Sequence, residues 1–146
     1  MTHIPDDQPN SVFFGEIKSV VTLVRDDNGR VLLAAPSPAG PWSCLGGRVN
    51  ENESVDVAAV RIPLDDCGLS VELQGILAHL RGEKYRVIYE CGQNTVWSET
   101  VFAATLVSRA PHGTAPMITE WFRPDEVNEL RLDEFATAAL SDLGVL

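Results

Sequence analysis

Two adjacent carboxylates, Asp65 and Asp66, close a segment that opens on Gly46-Gly47 and carries an isolated Glu53 and an Arg61 between them. Carboxylates this close repel each other unless a proton or cation intervenes, and anions sit badly near a helix C-terminus. A divalent cation between them would remove both objections. Taken alone, the pair reads first as a solvated helix end. Gly46-Gly47 permits close backbone approach and leaves room for a carbonyl ligand from Gly46, while Glu53 and Arg61 bracket a loop-to-helix junction and are placed to pair across it. Cys44, Cys67 and Cys91 are widely spaced and outside any C-x-x-C pattern, so they read as small buried hydrophobes rather than a disulfide or zinc framework. His3, His79 and His112 share no spacing that suggests a metal site.

The elements that position these groups follow from local signals. Ser54 is placed to cap a helix, Asp56 falls in its first turn and Gly68 lies just past its end. At about 100° per residue, Val57, Val60, Leu64 and Cys67 form a narrow stripe expected to face the core. Ala58, Ile62, Asp65 and Asp66 then fall on the outward side. Pro63 removes the hydrogen bond to the Ala59 carbonyl, so a kink or termination is expected between Ala59 and Pro63. The β-branched run 17–25, the turn Asp26-Asp27-Asn28-Gly29 and the apolar run 31–35 predict a β-hairpin. Further strands are expected at 71–80, 84–91 and 95–107, the last two forming a second hairpin. A short strand at 118–122, a helical turn from Pro124 and a C-terminal helix with the stripe Leu132, Phe135, Ala139 and Leu143 complete a mixed sheet flanked by helices. Residues 1–11 are polar and read as a loose arm, leaving 12–146 as a single domain.

Composition narrows the class. The 146 residues are 45% apolar, with 11 Lys+Arg against 21 Asp+Glu and a formal charge of −10, which describes one ordinary folded domain. That charge repels phosphate backbones, so nucleic acid is not an expected partner, whereas a bound divalent cation suits it. No run approaches the roughly 18 apolar residues of a membrane span, and the acidic start lacks signal-peptide character. A cytoplasmic protein without a membrane partner is expected.

Residues 46–69 resemble the Nudix box of the MutT-like hydrolases, G-x5-E-x7-R-E-U-x-E-E-x-G-U with U a bulky aliphatic residue. Gly47, Glu53, Arg61, Asp65, Asp66, Gly68 and Leu69 match in register without gaps, with aspartates where the family has paired glutamates. Ile62 stands where the family has its first helix glutamate, and Pro63 replaces an aliphatic residue. Trp42-Ser-Cys-Leu-Gly-Gly resembles the family's W-x-x-P-G-G approach, and Glu120-Trp-Phe-Arg-Pro-Asp-Glu-Val resembles the segment that follows its sheet.

The resemblance implies an α/β fold, a Nudix-like α/β/α sandwich around a mixed sheet. It also implies a divalent-metal-dependent hydrolase of a nucleoside diphosphate linked to another moiety, using Mg²⁺ or Mn²⁺. Asp65 and Asp66 would be metal ligands, Gly46 a further carbonyl ligand, and Glu53 with Arg61 an orienting pair. Ile62 cannot bind metal or accept a proton, and aspartate is one methylene shorter than glutamate. Glu90, Glu99 and Glu120 are substitute carboxylates. Alternation puts Glu99 on the face of Trp97 and Val101, as either an edge charge or a cleft carboxylate. The loop 108–117 holds no carboxylate, and its His112 is either solvated or catalytic. Arg81, Lys84 and Arg86 are candidate contacts for substrate phosphates, and Trp42 is either a packing residue or a stacking surface for substrate. The second hypothesis is a binding module that keeps the fold and cleft but has lost hydrolysis. The lack of a second domain to receive a signal favours the enzyme or a homo-oligomer.

Overall fold

The computed structural model describes residues 12–81, 86–88, 93–111 and 113–146. The expected arm at 1–11, and with it His3, Lys84, Glu90, Cys91 and His112, lies outside the described residues, as does the side chain of Arg86. The elements in order are β1 (Val12–Val24), β2 (Val31–Ala35), β3 (Leu45–Arg48), α1 (Val55–Cys67), β4 (Leu69–Leu80), β5 (Arg86–Ile88), β6 (Gln93–Arg109), β7 (Ile118–Phe122), α2 (Pro124–Val127) and α3 (Glu134–Asp142).

One sheet runs β3-β1-β6-β4, with β5 also paired to β6, and β2 pairs with β7 in a second sheet. The large sheet is mixed: β1 is parallel to β6, whereas β3, β4 and β5 pair antiparallel. Successive strand residues face opposite sides. Val20 accordingly packs with Ala58, Ala59 and Ile62 of α1, while Val21 joins Ala136, Ala139 and Leu140 of α3. The sheet is therefore covered by α1 on one face and α3 on the other, an α/β/α arrangement. The expected β5–β6 hairpin pairing is present, and the strand at 118–122 and the turn at Pro124 fall where the sequence puts them.

Three expectations are corrected. Residues 17–35 do not form a hairpin: after one bridge, Arg25 to Val31, β1 and β2 part into different sheets. The turn chemistry itself is as read, with the Asp26 carboxylate accepting from the amides of Asn28 and Arg30 and Gly29 at φ +77°. All five residues of β2 are buried, so this strand needs cover on both faces, which a plain hairpin does not supply. Second, β3 was not anticipated, because Leu-Gly-Gly-Arg has little strand propensity. It forms against β1, and a Cβ at Gly46 would collide with the Val20 carbonyl oxygen, so only glycine lets the two backbones approach this closely.

The third correction concerns α1. Its buried residues are Ala58, Ala59, Ile62 and Pro63, while Val57, Val60 and Leu64 are exposed, so the helix presents the face opposite to the expected stripe. Hydrophobicity alone favours the valines, but close packing on β1 favours small residues. Ala58 and Ala59 let the helix backbone come within hydrogen-bond reach of the strand. Of the kink or termination expected near Pro63, termination does not occur, since one helix runs from Val55 through Pro63 to Cys67. The carbonyl of Ala59, deprived of its usual amide partner by Pro63, accepts a hydrogen bond from the buried Thr22 hydroxyl at 2.7 Å.

Candidate functional site

Arg61 and Glu53 join the helix to the preceding loop as the sequence suggests. The Arg61 guanidinium donates through Nε to Glu53 Oε2 at 2.6 Å and through Nη2 to Oε1 at 2.9 Å, a two-pronged contact that fixes both groups. Nη2 also donates to the Arg48 carbonyl, and the Asn50 amide donates to Glu53 Oε1. One clamp thus ties β3, the loop and α1 together. Arg61 foremost, with the Asn50 amide, holds the Glu53 carboxyl below its ordinary range.

The inverted face of α1 separates the two aspartates. Asp65 lies one turn after Arg61, 3.7 Å from Nη1, with its side chain largely exposed. Asp66 lies one turn after the buried Ile62 and is half-buried. It lines a narrow groove with Gly46, Ile62, Pro63 and Met117. Its own carbonyl accepts from the Met117 amide, and Gly68, left-handed at φ +66°, closes the helix through a bond to the Leu64 carbonyl. The last turn of α1 contains no basic residue, and the cation within ion-pair distance of Asp65 is Arg61, one turn earlier.

Ile62 fills the position of the missing carboxylate with hydrocarbon. It is 5% exposed, packs with Val20, Ala58, Ala59 and Phe102, and lies over Gly47. Among the described residues, no group of three or more histidine, cysteine or acidic side chains could hold a metal ion. What remains in the groove is one carboxylate, Asp66, with Gly46 beside it, while Asp65 lies outside its lining. That set fits Mg²⁺ in kind, because this ion is commonly held by one or two carboxylates, with waters and substrate phosphates completing its shell.

Behind the groove, on the α3 face of the sheet, lies a cavity of about 180 Å³ lined by Gly46, Gly47, Cys44, Trp97, Glu99, Asp133 and Phe135, among others. Ser43, Cys44 and Gly46 border both spaces, so the groove and cavity share one wall. Glu99 resolves as a cleft carboxylate rather than an edge charge: it is 7% exposed, and its Oε1 accepts from the Ser19 hydroxyl. Burial foremost, opposed by Ser19 and reinforced by Asp133, pushes its carboxyl up to about 7. The cavity was not read from the sequence. Its signal was the pairing of Trp97 with Glu99 on one face of β6, together with an acidic residue ahead of the last helix.

Other candidates fare differently. Trp42 is not a stacking surface, since it is 4% exposed and packed edge-on against Phe122 with ring centroids 4.9 Å apart. Arg81 is exposed just past β4 and does not line the cavity or the groove. Glu120 is exposed on β7, opposite Leu33, and is likewise absent from both linings. Cys44 and Cys67 are free thiols. Burial is the main influence that pushes them up to about 12 and about 11, so neither is a ready nucleophile.

A mixed sheet between helices, with an arginine–glutamate clamp and paired helix-end carboxylates beside a double glycine, defines a class of domain. The sequence matches the NUDIX domain over residues 16–143, and the chain belongs to that family. It is similar to the oxidized purine nucleoside triphosphate hydrolase of Mus musculus, at 29% identity over 89 residues that cover 61% of this chain and 53% of the mouse protein. The match thus spans about half of that relative's length. The protein of the same name from Danio rerio is 27% identical over 119 residues, 80% of this chain and 71% of its own. In fold the chain resembles a NUDIX hydrolase from Nitrosomonas europaea, with a TM-score of 0.68, 19% identity and 88% of each chain covered. No described helix is long and apolar enough to cross a membrane.

Proposed function

We infer that the protein is a Nudix-type hydrolase that cleaves a phosphoanhydride bond in a nucleoside diphosphate linked to a further group, a further phosphate included, with Mg²⁺ or Mn²⁺. The observation that carries this reading is the single wall, Ser43 to Gly46, between the Asp66 groove and the Glu99 cavity. It provides adjoining places for a charged diphosphate and for the rest of the molecule. Asp66, Asp65 and the Gly46 carbonyl would hold the cation, which supplies charge neutralisation and Lewis-acid polarisation when bound. Arg61 and Glu53 act as positioning residues, holding the loop after β3 against α1 so that Gly46 and Asp66 keep their spacing. The relatives from Mus musculus and Danio rerio, named as nucleoside triphosphate hydrolases, favour a nucleoside triphosphate among the candidate substrates.

A second reading, a domain that binds such molecules without cleaving them, is favoured by the burial of Ile62 where the family carries a carboxylate. Calorimetric titration with Mn²⁺ and Mg²⁺ tests the metal site. The hydrolase reading expects saturable binding that an Asp65→Asn/Asp66→Asn variant loses. Binding unchanged in that variant removes the helix from the site.

A further inference from the structure

The outward face of α1 is apolar and exposed. Val57, Val60 and Leu64 fall within an arc of about 60° of the helix, opposite the Ile62 and Asp66 side that borders the groove. Val57 and Leu64 are more than half exposed, although a surface helix ordinarily turns such residues inward. The sheet extends the same surface. Leu73 of β4 stands beside Val57 and Val60 at an open hollow of about 400 Å³. Ile76, also more than half exposed, is paired with Phe102, which packs beneath α1, so it lies on this side of the sheet. Single exposed apolar residues need no explanation, but a contiguous set from two elements around a hollow marks an interaction surface.

The charge around this face selects what covers it. Asp56 and Arg61 border the hollow, and no other arginine or lysine among the described residues does. The Arg61 charge is already met by Glu53 at 2.6 Å and by Asp65 at 3.7 Å, whereas Asp56 has no basic partner among the described residues. Three carboxylates thus surround one guanidinium, on a chain of formal charge −10. A symmetric contact with a second copy would set this acidic rim against itself. Anionic lipid headgroups are repelled as well. An added strand is disfavoured, because β4 lies at the sheet edge but its register against β6 shifts between Leu73 and Gly75 and again between Ile76 and Ala78. The run from Val57 to Leu64 offers two helical turns, about 10 Å, of apolar surface. That length matches the stripe of an amphipathic helix.

We propose that the outer face of α1, with Leu73 and Ile76 of β4, docks a basic amphipathic helix from a partner protein. Apolar side chains at i, i+3 or i+4 and i+7 of the partner fill the hollow, and its lysines or arginines meet the acidic rim, Asp56 first. The Asp66 groove lies on the opposite side of α1 and the Glu99 cavity across the sheet, so both stay open when the partner is bound. The proposal therefore stands apart from the hydrolase reading.

The probe is a fluorescently labelled synthetic peptide of leucine and lysine with its leucines at helical spacing, titrated with the protein and followed by anisotropy. Saturable binding is expected, weakened by salt and about tenfold or more weaker with Val57→Ser/Val60→Ser/Leu64→Ser. Asp56→Asn is expected to weaken it severalfold. Thermal unfolding checks that the variants fold, and Val60→Ser alone takes the place of the triple variant if that protein does not. The proposal is overturned if the wild type fails to bind the peptide, or if the folded serine variants bind it equally. It is overturned too if a peptide of the same composition with alternating leucine and lysine, or one with glutamate for lysine, binds as tightly. A wild type that sediments as a dimer, with the serine variant a monomer, would assign the face to a second copy and overturn it equally.

Discussion

Removing the Thr22 hydroxyl probes how the fold tolerates a proline inside its functional helix. Pro63 cannot donate to the Ala59 carbonyl, and Thr22 Oγ1 supplies the bond instead at 2.7 Å. Thr22 is 1% exposed and Ala59 0%, so water cannot substitute when the hydroxyl is lost. Thr22→Val keeps the shape and leaves a buried carbonyl orphaned, at a cost of about 1–3 kcal/mol. For a chain of this size that is a fall in Tm of roughly 3 °C per kcal/mol. In a Pro63→Ala background the restored amide takes over the Ala59 carbonyl, and Thr22→Val should then cost less than about 0.5 kcal/mol. Urea unfolding of the four proteins gives the coupling energy directly, expected to be about 1–2 kcal/mol. Equal effects of Thr22→Val in both backgrounds would refute the argument that the threonine replaces the missing amide.

Arg61→Lys breaks the two-pronged contact with Glu53, and turnover is expected to fall at least tenfold with KM little changed, as checked by steady-state kinetics. Because Arg61 holds the Glu53 carboxyl down, the pair adds stability above the unfolded glutamate's pKa, and this is lost as pH falls through the native value. Urea titrations in acid should show a shallower loss for Glu53→Gln. Glu99 has the opposite sign: between its ordinary 4.5 and about 7 the native state holds a proton that the unfolded chain has released. Stability from this group is therefore full below about pH 4.5 and declines until about pH 7, and Glu99→Gln should flatten that slope in unfolding curves taken from pH 4 to 8. Ile62→Glu places a carboxyl in a packed site, so the metal-free variant should lose about 2–4 kcal/mol in thermal or urea unfolding. Mg²⁺ should restore more stability to it than to the wild type, and a variant as stable as wild type without metal would contradict the burial argument.

Local chemistry was legible wherever spacing alone determines contact. The Glu53–Arg61 clamp, the Gly68 cap, the Asp26 turn and the strand at 118–122 each depend on residues close in sequence. What failed depends on how closely elements approach. Ala58 and Ala59 carry less apolar surface than Val57 and Val60, so a hydrophobicity stripe selects the wrong face. The core instead selects the face thin enough to bring α1 onto β1. The same closeness explains β3, whose glycines weaken an isolated strand yet are what the Val20 backbone demands. The parting of β1 from β2 is decided by the distant partners β6 and β7, about which the turn at 26–29 carries no information. The Glu99 cavity joins residues from β1, β3, β6 and α3, and no single segment announces it.

The most direct test of the central claim is ³¹P NMR of nucleoside di- and triphosphates incubated with the protein, with and without Mg²⁺, comparing the wild type with Asp66→Asn. The account predicts Mg²⁺-dependent cleavage of a phosphoanhydride bond by the wild type and at least a tenfold loss in the variant. Unchanged spectra with the wild type, accompanied by tight nucleotide binding, or cleavage that survives Asp66→Asn, would contradict it.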